Sequence, residues 1–148
     1  VYKRQKLCNK GAAVFTKALF DTGNLLSDGF SDTPVIIAER SVVKKLVPEG
    51  IFSFIDGEAA LPINADDGSI RLIPAGTVGG ESILRAVLID SVTVIGKKEA
   101  REVKNVILAE SKTPFSSGDY SVLLGPKIFE IREGNQKNER AKKTAGKD

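Results

Sequence analysis

The chain is built from short, β-branched apolar segments set close together and separated by turn residues. Ala12–Phe20, Pro34–Ala38, Ile70–Pro74, Ser82–Asp90, Ser91–Ile95, Lys104–Ala109 and Tyr120–Leu124 each have strand length and composition. Between them stand turn signals such as Asp56-Gly57, Asp66-Asp67-Gly68 and Ser116-Ser117-Gly118-Asp119. Glu39–Val47 departs from this pattern: Val42, Val43, Leu46 and Val47 recur at helical spacing, and Pro48-Glu49-Gly50 is expected to stop the helix. Ile51–Ile55 is a short apolar run, and Gly125–Ile131 reads as a short terminal helix. Many short strands with one or two short helices predict a mainly β, barrel-like domain.

Length and charge narrow the picture. A chain of 148 residues suits a single domain with a real core. The net charge of +3 belongs to the end of the chain, where Lys137, Arg140, Lys142, Lys143 and Lys147 face Glu139 and Asp148. Residues 1–134 are neutral, so the basic pI of 9.0 is no argument for direct nucleic-acid binding. Residues 134–148 hold no apolar side chain larger than alanine and are expected to form a disordered basic tail. No apolar run reaches the ~18 residues of a membrane span. Residues 1–11, with Lys3, Arg4, Lys6 and Lys10, read as a basic flank, either juxtamembrane or, for Val1–Gln5, a non-native scar. Cys8 has no cysteine to pair with, and the domain proper is expected over 12–133.

The chain has no histidine, which removes every mechanism that needs imidazole, Ser-His-Asp and Cys-His among them. Carboxylates are the natural agents of any chemistry. Asp21-Thr22-Gly23-Asn24 follows the apolar Ala18-Leu19-Phe20, and Asp-Thr-Gly at the end of a hydrophobic strand is the signature of aspartic proteases. A plain strand-terminating turn has the same spelling. Haloacid-dehalogenase-like phosphatases need a second Asp at position 23, and P-type ATPases need Asp-Lys-Thr-Gly; neither is present. The protease chemistry needs two carboxylates sharing one proton. The chain carries one Asp-Thr-Gly and is too short for two lobes, so the second carboxylate must be the Asp21 of another copy. In that reading Asp21 is catalytic, and the Thr22 hydroxyl bonds across the two-fold axis. Gly23 lets the backbone approach the carboxylates, and Asn24 caps the local turn. No metal or cofactor is called for; Asp28 and Asp32 read as solvated loop carboxylates.

The stretch from Asp21-Thr22-Gly23-Asn24-Leu25 through Asp28-Gly29 to Thr33-Pro34-Val35 resembles the sporulation sigma-E factor processing peptidases. Ile73-Pro74 with Val78-Gly79 is similar to that family's central Ile-Pro…Val-Gly element, and Tyr120–Pro126 to its C-terminal Ala-Leu-Leu-His-Pro. Gly29 stands where the family has Pro, Gly125 where it has His, and Ala75-Gly76-Thr77 where it tends to Tyr-Arg-Ser. The resemblance implies a retropepsin-like closed β-barrel, half of a two-fold aspartic protease. Its Val122–Gly125 segment would pack beneath the catalytic loop. It further implies a homodimeric aspartic endopeptidase that removes the pro-segment of a sporulation sigma factor precursor. The full-length protein would sit at the cytoplasmic face of the membrane through an N-terminal region, this part being soluble. The alternative is a non-catalytic β-barrel interaction module whose Asp-Thr-Gly is a structural turn. Gly76, Thr77, Val78, Gly79 and Gly80 form the expected flap, with Gly57–Gly68 as second choice. Arg71 and Arg85 flank it, either as exposed strand charges or as a grip on an acidic substrate.

Overall fold

Lys10 and Gly11 both adopt positive φ, 48° and 85°, the backbone of a tight two-residue hairpin turn. They join β1 (Tyr2–Asn9) to β2 (Ala12–Phe20) in an antiparallel pair running from Tyr2↔Leu19 to Asn9↔Ala12. The Lys10 amide donates to Asp90 Oδ2 at 2.8 Å, which ties the turn to the sheet. Residues 2–9, read from the sequence as a flank, are thus a strand of the domain. In the computed structural model, residues 2–21, 23, 32–57, 68–77, 80–115 and 118–129 are described. The basic tail at 134–148 lies outside them.

The remaining elements are β3 (Val35–Ala38), α1 (Arg40–Leu46), α2 (Glu49–Ile55), β4 (Ile70–Thr77), β5 (Gly80–Ile95), β6 (Ala100–Glu110) and β7 (Val122–Leu124). The sheet order is β1-β2-β7-β3-β6-β5-β4, and β1 also pairs with β5. That last pairing, Arg4↔Ile95 through Cys8↔Ser91, closes six strands into a barrel and leaves β4 outside the ring. The fold is the mainly β, retropepsin-like closed barrel with few short helices that the resemblance implies.

The helices sit differently from expectation. Pro48-Glu49-Gly50 does not end the helical region. Pro48 precedes α2, where its fixed φ and missing N–H cost nothing. Ile51, Phe52 and Ile55 then face the core from a helix. Val42, Val43 and Leu46 do so from α1, and the buried Asn9 side chain donates to the Leu46 carbonyl at 2.9 Å.

Ser82–Asp90 and Ser91–Ile95 belong to one 16-residue strand. The break at Asp90 is real all the same. Val87 and Ile89 point into the main core, and after Asp90 the inward residues are Val92 and Val94. The partner strand skips in the same place, from Val103 to Val106 and Leu108. Asn105, opposite Asp90, takes φ 60° and reverses the alternation; Asn tolerates this left-handed region better than branched residues do. Before the reversal the ribbon is apolar on both faces. Its outer face packs Ala86, Ile107 and Ala109 with Val35 and Ile73 in a second cluster.

Asn105→Gly is expected to fold with unchanged stability within about 0.5 kcal/mol, whereas Asn105→Val loses about 1–2 kcal/mol. Urea denaturation of both variants checks this.

Candidate active site

β7 is three residues long and lies between β2 and β3, parallel to the first and antiparallel to the second. Its register pairs Ala18, Leu19 and Phe20 with Val122, Leu123 and Leu124. The ladder runs one step further: the Asp21 amide donates to the Leu124 carbonyl at 2.7 Å. Asp21 is therefore the first residue past β2, half-buried and held through its own backbone. Phe20 packs on Phe129, ring centroids 5.4 Å apart, from the helical turn 127–129 that follows β7.

The Gly23 amide donates to Asp21 Oδ1 at 2.9 Å. This bond orients the carboxylate. A Cβ on Gly23 would lie 3.3 Å from the same oxygen. Glycine is thus demanded here by a close approach to the carboxylate. Thr22 and Asn24 lie outside the described residues, as does Asp28; Asp32 is exposed. Among the described residues, no three His, Cys, Asp or Glu side chains gather as a metal site.

The segment expected as a loop around 75–81 is the end of a hairpin. β4 and β5 stay paired up to Thr77↔Gly80, and Val78 and Gly79 between them lie outside the described residues, as does most of Gly57–Gly68. The pairs Leu72↔Arg85 and Pro74↔Ile83 share one face of this hairpin. Further down, that face carries Ile70 and Val87 into the main core. Towards the tip it is bare: Leu72 and Ile83 are 55% and 65% exposed. Sequence reading missed these two residues, because apolar alternation in a strand looks the same whether or not something covers it.

Arg71 and Arg85 do other work than was expected of them. Arg71 Nη1 donates to the carbonyls of Gly68 and Ile70 at 2.6 and 3.0 Å. Arg85 Nη1 donates to Phe54 O at 2.9 Å, and its guanidinium lies 4.4 Å from the Phe54 ring centre. Both are half-buried braces at the base of the hairpin.

This arrangement can be set beside known proteins. The profile of the sporulation factor SpoIIGA family, peptidase family U4, matches residues 4–128. The chain belongs to the SpoIIGA family. A sporulation sigma-E factor-processing peptidase of Priestia megaterium is 28% identical over 124 residues, 79% of this chain and 40% of the relative. A putative sporulation sigma factor-processing peptidase of Bacillus thuringiensis subsp. kurstaki is 31% identical over 118 residues, 75% of this chain and 73% of the relative. The chain thus spans well under half of the first relative's length. No solved structure matches. The SpoIIGA match begins at Arg4, inside β1. Among the described residues, no helix of this SpoIIGA-family chain is long and apolar enough to cross a membrane.

Leu124 is fully buried beside Asp21, and Leu72 is mostly in water. Leu124→Ala is expected to cost about 2–5 kcal/mol of stability, and Leu72→Ala less than about 0.5 kcal/mol, as measured by denaturant unfolding.

Proposed function

We propose that this domain is an aspartic endopeptidase whose catalytic carboxylate is Asp21, acting as a homodimer. The observation that carries the reading is the clasp of the Asp21 carboxylate by the Gly23 amide at the end of β2, in a chain of a peptidase family. One chain offers one such carboxylate, so a second copy across a two-fold axis supplies the other. Two close carboxyls resist joint ionisation and hold one proton between them. The ionised member takes a proton from a bound water, which attacks the scissile carbonyl. The protonated member donates to the developing oxyanion. The Thr22 hydroxyl and Asn24 support the loops, and Gly23 gives the water and carboxylates their close approach.

The β4–β5 hairpin, with Gly76–Gly80 at its tip, is the flap. Leu72 and Ile83 supply apolar contact to an extended peptide, and the backbone of the tip supplies hydrogen bonds. The relatives above are named as a sporulation sigma-E factor-processing peptidase and a putative sporulation sigma factor-processing peptidase. We infer the same class of substrate here: a sigma factor precursor that loses an N-terminal segment. A membrane-bound N-terminal region would hold the domain at the cytoplasmic face and raise its local concentration, so that a weak dimer suffices.

Asp21→Asn is nearly isosteric and is expected to keep the fold and abolish cleavage of a candidate precursor by the purified domain. Full activity in a folded Asp21→Asn protein rejects the peptidase reading and leaves the interaction module. Specific activity is expected to fall on dilution through the dimer dissociation constant; an active, strictly monomeric domain by sedimentation rejects the shared site. Gly79→Pro, at the hairpin tip, is expected to lower turnover at least tenfold with little loss of melting temperature. Unchanged turnover in the folded variant moves the flap to another loop.

A further inference from the structure

β7 runs parallel to β2 and antiparallel to β3, so Asp21, beyond Leu124, lies towards the Val35 end of β3. β6 runs parallel to β3 and pairs Glu110 with Ala38, at the other end. A second acidic centre therefore stands at the other end of β3 from Asp21. Glu110 ends β6 and is 5% exposed, and its Oε1 has no hydrogen-bond partner. Asp56, the C-cap of α2, lies within reach of a side-chain hydrogen bond to it once one of the two carries a proton. The two line a cavity of about 540 Å³ together with Glu39, Arg40, Lys44 and Lys112. Three acidic and three basic side chains line the cavity.

Two ionised carboxylates would repel; a hydrogen bond between them requires a proton. Burial first, then the hydrogen bond and the repulsion from Asp56, raise Glu110 from an ordinary 4.5 to about 7. Lys112 and Arg40 pull the other way. Arg40 Nε meets Asp56 Oδ2 at 3.2 Å, and its guanidinium lies 5.3 Å from the centre of the Phe52 ring of α2.

We propose that Asp56 and Glu110 form a proton-sharing latch that docks the end of α2 onto the end of β6 and loosens when the proton leaves. The charged groups around it are Glu39, Arg40 and Lys44 at α1 and Lys112 after β6. Arg40 is paired with Asp56, and none of these groups has a hydrogen bond to Glu110 Oε1. Loosening reaches the hairpin through Phe54, two residues before Asp56, whose carbonyl and ring are gripped by Arg85 of β5. The latch is a device of the fold and holds whether or not Asp21 is catalytic.

The sign of its pH dependence follows from linkage. Glu110 binds its proton more tightly in the folded chain than in the unfolded one. The latch therefore stabilises fully below the unfolded value of 4.5 and is lost as pH rises through about 7. Between those limits the unfolding equilibrium constant gains up to about tenfold per pH unit from this group.

The test is an NMR titration of the side-chain carboxyl carbons in the ¹³C-labelled domain from pH 4 to 9, with amide hydrogen exchange corrected for the intrinsic rate. A Glu110 midpoint near 7, with α2 protection falling across the same midpoint, is expected. Glu110→Gln, which keeps a donor for Asp56 without the titration, is expected to hold α2 protection constant from pH 6 to 8. A Glu110 midpoint below 5, or α2 protection that does not follow the midpoint, overturns the latch from the wild-type protein alone. A folded Glu110→Gln variant that still loses protection through pH 7 overturns it equally.

Discussion

The fold depends on three residues in the right gap. β2 and β3 do not touch as strands; Val122–Leu124 fills the space between them and pairs with both. Before the strand, the Ser121 amide donates to Lys17 O and the Glu39 amide donates to Ser121 O, each at 3.0 Å. After it, the Asp21 amide donates to Leu124 O. A strand this short has few ladder bonds of its own. It is held by the full burial of Val122, Leu124 and, just beyond, Ile128, worth roughly 1.5–3 kcal/mol per side chain. Barrel closure and the position of Asp21 are therefore set by one event, and a carboxylate at the end of β2 inherits the rigidity of the core.

The long β5–β6 ribbon shows how one sheet serves two purposes. A regular strand presents one side to the core along its whole length. Here Asp90 and Asn105 reverse the sides, at the place where Asp90 also receives the Lys10 turn amide. The half nearer the β5–β6 turn closes the barrel against β1. The other half is covered on its outer face by Ile73 of β4 and keeps Val87 and Ile89 inside. Its extension past the barrel leaves Leu72 and Ile83 bare. Arg85 ties the foot of this hairpin to α2.

The two acidic centres differ in what surrounds them. At Asp21 an amide N–H meets the carboxylate at a half-exposed chain turn. At Glu110 burial and a neighbouring acid favour the protonated form.

Much of this was written in local order. β-Branched runs and turn residues determined the strands, the spacing of Val42, Val43 and Leu46 determined α1, and the absence of histidine with a single Asp-Thr-Gly directed attention to Asp21. Even the break at Asp90 was visible, although it marks a change of face and not the end of a strand. Other features needed the assembled chain. Tyr2–Asn9 looked like a basic flank because its lysines and arginine alternate with the residues it buries, Gln5, Leu7 and Asn9, and two of those three are polar. Its membership in the barrel follows from pairing with β2 and β5. Ile51–Ile55 is too short for period alone to separate helix from strand, and packing on the core decided for helix. The roles of Arg71, Arg85, Asp56 and Glu110 rest on partners 1 to 54 residues away in the chain. Local sequence determines which backbone a segment prefers. Which polar groups meet inside, and with what proton between them, is decided only when distant segments exclude water together.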